Sequence, residues 1–236
     1  MTAPEPAECP RCLGAGYLRM DVPINDPNFG QLITCDCKQE EKVRRRKQQL
    51  LQLSNLQAYE QLTFQNFDPD VPGTRAVYLD CLTFGRNPQG WRFLLGGPGR
   101  GKTHLAAAIA HEAVARDLDV MFMVVPDLLD HLRSTFGPSS EIEYDQRFET
   151  IRNVFLLILD DLGAESATPW AKEKLFQIIN HRYNHRLATV ITSNYDFEKL
   201  DPRLQSRLLD ATLCNSHIIE AGDYRRLSVQ KRFGNR

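Results

Sequence analysis

The octapeptide Gly96-Gly-Pro-Gly-Arg-Gly-Lys-Thr103 constrains this chain more than any other stretch. It satisfies G-x-x-x-x-G-K-[ST] in full, follows Arg92-Phe-Leu-Leu95 and opens an apolar-periodic run, which predicts strand, loop and helix in that order. Glycines there let successive backbone amides turn inward as an anion-binding nest, which bulkier side chains would block. The helix N-terminus adds its dipole. In such a loop Lys102 reaches the β- and γ-phosphates of ATP and the Thr103 hydroxyl ligates Mg²⁺. A chance glycine-rich turn leaves the flanking strand, the helix and the Lys-Thr pair unexplained. The expected nucleotide-binding residues are therefore Gly96, Gly97, Pro98, Gly99, Arg100, Gly101, Lys102, Thr103 and His104.

A second element must hold the metal and prepare water. Leu156-Leu-Ile-Leu-Asp-Asp-Leu162 is an apolar strand running into two carboxylates, and ligands in open α/β sheets bind at strand C-termini. Asp160 is expected in the Mg²⁺ shell and Asp161 beside the attacking water. A merely solvated turn is the bland alternative.

Around these motifs, short apolar runs alternate with longer amphipathic ones, as in an α/β sheet. Strands are expected at Phe93–Leu95, Val120–Val125, Val154–Leu159, Thr189–Thr192 and His217–Ile219. Helices are expected at Lys102–Arg116, Asp127–Phe136 and Trp170–Arg186, the last capped by Thr168 with Pro169 at its first position. Residues 38–57 lack Gly and Pro and read as helix, with Glu40 and Glu41 placed to pair with Arg44 and Arg45.

Charge is balanced, with 29 basic and 30 acidic residues, so nothing global points to nucleic acid. Met1-Thr-Ala-Pro-Glu-Pro-Ala-Glu lacks the basic start and apolar run of an export signal, and Val154–Leu159 is too short to span a bilayer. A soluble, cytoplasmic protein is expected. Four of the six cysteines, Cys9, Cys12, Cys35 and Cys37, lie in the first 37 residues. In a reducing compartment such clustering favours metal over disulfides. Cys9-Pro-Arg-Cys12 looks like half a zinc knuckle, with Gly14 and Gly16 permitting the tight turn behind it. Cys35-Asp-Cys37 departs from the usual spacing by one residue. A redox role lacks the surrounding thioredoxin-like pattern. Cys81 and Cys214 are expected as ordinary buried thiols.

Gly96–Thr103, Leu156-Leu-Ile-Leu-Asp-Asp-Leu-Gly163, Thr192-Ser-Asn194 and Arg203-Leu-Gln-Ser-Arg-Leu208 resemble, in this order, the motifs of DnaC/DnaI-type bacterial helicase loaders, relatives of DnaA and IstB. Thr63-Phe-Gln-Asn-Phe67 also resembles the short motif preceding their AAA+ core. The resemblance covers roughly residues 55–236. It implies an α/β, three-layer P-loop AAA+ ATPase core with a five-stranded parallel sheet, preceded by a small zinc knuckle and a helix. Shifts in composition mark off a cysteine-rich zinc unit (1–37) and a charged helical linker (38–57), and the resemblance implies that 58–236 is an AAA+ domain lacking a full lid.

The resemblance also implies residue roles. Asn194 matches the sensor near the γ-phosphate, Arg207 the arginine finger offered to a neighbouring subunit's ATP, and Arg203 a supporting arginine. Gly222-Asp-Tyr-Arg-Arg226 is similar to the later sensor, with Arg225 favoured over Arg226. Val125–Phe136 occupies the place where this family faces single-stranded DNA, and Arg133 is the candidate phosphate contact. ATP, Mg²⁺ and Zn²⁺ are the implied cofactors. The implied partners are a hexameric replicative DNA helicase, single-stranded DNA and further copies of the chain sharing ATP sites, with no membrane. Two alternatives are an IstB-like transposition ATPase and a nucleotide-gated adaptor.

Overall fold

A computed structural model of the chain describes residues 9–134, 141–163, 168–194 and 197–223. They divide into two compact units, within residues 1–50 and 51–236.

In the first unit, β1 (Tyr17–Arg19) pairs antiparallel with β2 (Leu32–Thr34), and α1 (Asp36–Leu53) begins directly after Cys35. Glu41 pairs with Arg45 on the exposed face of α1, as the spacing predicts. The helix ends at Leu53, and Ser54 caps a 3-10 turn over Asn55–Tyr59.

The second unit is built on α2 (Arg75–Arg86), β3 (Trp91–Leu95), α3 (Lys102–Val114), β4 (Val120–Val124), α4 (Val125–Ser134), α5 (Glu141–Asn153), β5 (Leu156–Leu162), α6 (Pro169–Asn184), β6 (Thr189–Ser193), α7 (Pro202–Leu208) and β7 (Cys214–Ile218). The five strands are all parallel, in the order β4-β5-β6-β3-β7. Val120, Phe122, Leu156, Ile158, Val190 and Leu94 bury one sheet face together with the alanine-rich α3. The alternating residues Met121, Leu157, Leu159, Ile191 and Phe93 are buried on the other face, so the sheet is covered on both sides. This is the expected α/β three-layer arrangement.

Edge strand β4 is closed by side chains. Phe122 N donates to Ser54 Oγ at 3.0 Å, Ser54 Oγ donates to Phe122 O at 3.1 Å, and Val124 N donates to Asn55 Oδ1 at 3.2 Å.

All five strands differ from expectation at a boundary, by one to three residues: β3 starts at Trp91 rather than Phe93, β4 ends at Val124 rather than Val125, β6 ends at Ser193 rather than Thr192, and β5 runs on to Leu162 rather than Leu159. β5 starts at Leu156, not Val154, because the buried Arg182 of α6 takes the preceding carbonyls: Nη1 donates to Val154 O at 2.9 Å and Nη2 to Phe155 O at 3.4 Å. β7 runs Cys214–Ile218 rather than His217–Ile219, since an edge strand tolerates the polar Asn215, Ser216 and His217. Helices α2, α5 and α7 were not expected from periodicity. The Thr168 cap of α6 is present, its side chain accepting from Ala171 N at 3.2 Å. Cys81 and Cys214 are buried free thiols, as expected. Among the described residues no helix is long and apolar enough to cross a membrane.

Candidate functional site

The loop between β3 and α3 lies at the C-terminal end of the central strands. Gly99 and Gly101 have φ of +72° and +88°, in the left-handed region that favours glycine. A Cβ on Gly101 would also stand 3.0 Å from the ring of Phe67, so the motif upstream of the core forms a wall behind the loop. Phe67 meets His104 edge-to-face at 5.1 Å, and His104 Nε2 lies 2.8 Å from Thr63 O. Burial lowers the His104 pKa, favouring a neutral ring there. His104 thus buttresses the loop from behind. Arg100 Nη1 donates to Ile219 O at 3.0 Å, tying the loop to the residue after β7.

Three motifs far apart in sequence converge on Lys102 and Thr103. The buried Lys102 donates through Nζ to Gly97 O at 2.8 Å and to Asn194 Oδ1. Asn194 Nδ2 in turn donates to Asp161 Oδ1, so one amide joins the loop lysine to a strand-end carboxylate. Thr103 Oγ1 donates to Asp160 Oδ2 at 3.0 Å. Asp160 is 3% exposed, and its other oxygen accepts from Thr192 Oγ1 at 2.7 Å.

The two carboxylates diverge because the ladder breaks beneath them. The β5–β6 register shifts between Leu159 and Leu162, and Asp161 adopts a φ of +62°. Asp161 N donates to Thr192 Oγ1 at 2.9 Å. A bulge of this kind re-aims side chains at a strand end. Thr192 thus holds both aspartates, one by its carboxylate and one by its backbone. The TSN motif placed Thr192 nearby, yet nothing in the sequence signalled this bridging.

Burial pushes the Asp160 carboxyl above the ordinary carboxylate range, and the neighbouring Asp161 charge adds to this. The Thr192 and Thr103 hydroxyls and Lys102 act in the opposite direction. A raised folded-state pKa means that the charged form is less favoured folded than unfolded, so Asp160 costs stability at pH above its titration. Asp160→Asn is therefore expected to raise the Tm of the nucleotide-free protein at neutral pH. The difference from wild type should shrink as pH falls through the raised titration of Asp160. Scanning calorimetry at several pH values checks this, and an Asp160→Asn protein less stable than wild type at neutral pH contradicts it. The half-buried Thr103 hydroxyl and the buried Asp160 carboxylate are hard oxygen donors that suit Mg²⁺.

Arg207 and Arg203 lie on α7, with their partners on α6 and at the start of α7. Arg207 Nε donates to Asn180 Oδ1 at 3.0 Å, and Arg203 pairs with Glu173 and Asp201 at 3.2 and 3.1 Å. Arg133 of α4 lies 3.5 Å from Asp130 and over the Trp170 ring. Arg225 and Arg226 lie outside the described residues.

In the first unit the Sγ atoms of Cys9, Cys12, Cys35 and Cys37 all lie within 4.8 Å of one another. Cys9 and Cys35 are 3.8 Å apart, and Cys12 and Cys37 are 3.4 Å apart. A tetrahedral zinc thiolate site, with bonds of about 2.3 Å, has S–S edges of about 3.8 Å, so the cluster fits. Gly16 N donates to Cys12 Sγ at 3.3 Å, and backbone amides of Cys12 and Arg11 lower the Cys9 pKa to about 7. The short Cys35-x-Cys37 spacing is accommodated because α1 begins between those two residues.

Residues 28–232 match the family model described as IstB-like ATP binding protein. The chain belongs to this family. Among curated relatives, it is 28% identical over 156 residues to the replicative helicase loader DnaC of Buchnera aphidicola subsp. Baizongia pistaciae, covering 64% of this chain and 63% of the relative. It is 26% identical over 174 residues to the replicative helicase loader DnaI of Bacillus subtilis, covering 70% of this chain and 55% of the relative. Among solved structures, AMPPCP-bound DnaA from Aquifex aeolicus superposes with a TM-score of 0.61 at 25% identity, covering 73% of this chain and 53% of that one. The IstB-like chain thus spans less than two thirds of the length of each. The AAA+ ATPase fold and the DnaC/DnaI resemblance agree with these findings.

Proposed function

We propose that this protein is an ATP-driven loader that engages a hexameric replicative DNA helicase and assists its placement on single-stranded DNA. The observation that carries the ATPase part is the chain Lys102–Asn194–Asp161, beside Thr103–Asp160, in a loop built for phosphate. The loader part is supported by relatives that are themselves named replicative helicase loaders.

In this reading the backbone of Gly96, Gly97, Pro98, Gly99, Arg100 and Gly101 cradles the phosphates, with His104 bracing the loop. Lys102 leaves Asn194 for the β- and γ-phosphates. Thr103 and Asp160 hold Mg²⁺, which when bound offsets phosphate charge. Asp161 accepts a proton from the attacking water, and Asn194, released from Lys102, orients that water. Arg207 serves the ATP of a neighbouring copy, which requires self-association. Arg225 acts as the second sensor. Residues 1–37 form the zinc unit, 38–57 the linker and 58–236 the ATPase domain, in a cytoplasmic protein. Arg133 is the candidate contact to single-stranded DNA.

Zinc held by Cys9, Cys12, Cys35 and Cys37 should appear at about one ion per chain in protein purified under reducing conditions. A structural zinc contributes on the order of 10 kcal/mol to a small unit without a large core. Cys9→Ser or Cys35→Ser should lose the ion and leave the ATPase unit folded. Metal analysis finding no zinc in the wild type contradicts the assignment.

The function itself is tested by pull-down of the host's replicative helicase with and without ATP. ATP-dependent capture is expected. No capture in either condition, together with ATP-dependent binding of duplex DNA, would favour an IstB-like transposition role instead.

A further inference from the structure

The two arginines of α7 keep different electrostatic company. Arg203 pairs with Asp201 and Glu173, and these carboxylates raise its pKa. Arg207, one helical turn later, meets neutral groups. Its Nε donates to Asn180 Oδ1 at 3.0 Å, its Nη1 donates to Arg203 O at 2.7 Å, and Nη2 also reaches Asn180 Oδ1. Its guanidinium lies 4.7 Å from the centroid of the Phe176 ring and 5.5 Å from that of Tyr183. The nearby Asp210 carboxylate is engaged elsewhere, accepting from Tyr183 Oη and Thr212 Oγ1, each at 2.7 Å.

This contrast has a chemical consequence. A guanidinium bound to carboxylates has little net charge left for a phosphate. One fixed by an amide oxygen, a carbonyl and an aromatic face loses rotamer freedom yet keeps its charge. Such preorganisation is what a group stabilising transferred-phosphoryl charge requires.

We propose that Asn180, backed by Phe176, is a positioning residue that holds Arg207 oriented and fully charged for the γ-phosphate of ATP on a neighbouring copy. This rests on the reading of the chain as an ATPase with shared sites. Asn180 acts through Arg207 and touches no phosphate. Its neutrality is the essential property. An aspartate has the same shape and accepts the same N–H donors, but it cancels the charge.

The discriminating variant is Asn180→Asp. A new ion pair with Arg207 should leave the Tm at or above that of wild type. ATP affinity should be unchanged and turnover should fall about tenfold or more, up to the roughly 10³–10⁵ that a whole finger supplies. Asn180→Ala, which frees the guanidinium without neutralising it, should fall between the two. Lys102→Ala subunits, which retain Asn180 and Arg207, should restore turnover to Asn180→Asp subunits in mixed assemblies. Arg207→Ala subunits should not. Wild-type turnover in a folded Asn180→Asp protein, with Arg207→Ala slow, overturns the positioning role alone. Wild-type turnover in Arg207→Ala overturns the shared-site reading beneath it. Should Asn180→Asp fail to fold, Asn180→Ala decides: slow turnover with unchanged KM for ATP, rescued by Lys102→Ala subunits, supports the role, and wild-type turnover overturns it.

Discussion

Lys102→Ala is expected to lower ATP affinity by about 100-fold, while Asp161→Asn leaves affinity near wild type and lowers turnover by roughly 10²–10⁴. The first figure follows from a charge-assisted bond to phosphate contributing about 1.5–3 kcal/mol. The second is the usual range for a group that accepts a proton in the transition state. The two residues are joined through Asn194, yet they act at different stages. In the proposed mechanism Lys102 contacts phosphates in the ground state, whereas Asp161 acts on the attacking water. Equilibrium binding of a fluorescent ATP analogue, beside steady-state phosphate release, separates them. Equal turnover in wild type and Asp161→Asn removes Asp161 from the chemistry.

Arg207→Ala is expected to preserve ATP affinity and to lower turnover, by roughly 10³–10⁵ where chemistry is rate-limiting. The effect is smaller where assembly limits the basal rate. Charge spreads over the γ-phosphoryl oxygens in the transition state, so a cation arriving from a neighbour acts there more than on bound ATP. Measuring kcat and KM for ATP together checks this. A raised KM with unchanged kcat would mean that Arg207 contributes ordinary ground-state binding.

The parts of the site legible in sequence are those whose chemistry is local. A loop that turns amides toward phosphate needs glycines at fixed spacing, so Gly96–Thr103 could be read directly. Leu156–Leu159 was legible because a central parallel strand is apolar on both faces. What escaped depends on residues meeting across the fold. Thr192 is one hydroxyl in a strand until the bulge at Asp160 and Asp161 brings both aspartates to it. Arg182 reads as one more charge on an amphipathic helix. In the structure it is fully buried, and its guanidinium binds the carbonyls that set where β5 begins. β7 reads too short in the sequence because apolar periodicity is weak in an edge strand. Helix α2, with Val77, Cys81 and Phe84 on its buried face, carries a signal that periodicity could have found. The clustering of four thiols was legible from cysteine count, although the start of α1 at Asp36 explains the unusual second spacing.

The central claim is that each ATP site is completed by a neighbouring copy, and subunit mixing tests it most directly. Arg207→Ala subunits keep an intact phosphate loop, and Lys102→Ala subunits keep an intact arginine. ATP turnover is measured across mixing ratios at fixed total protein, with mixed assembly verified by a tag on one variant. The account predicts turnover above that of either variant alone, highest at intermediate ratios. Turnover that never exceeds the weighted sum of the two variants, in assemblies that demonstrably contain both, contradicts it.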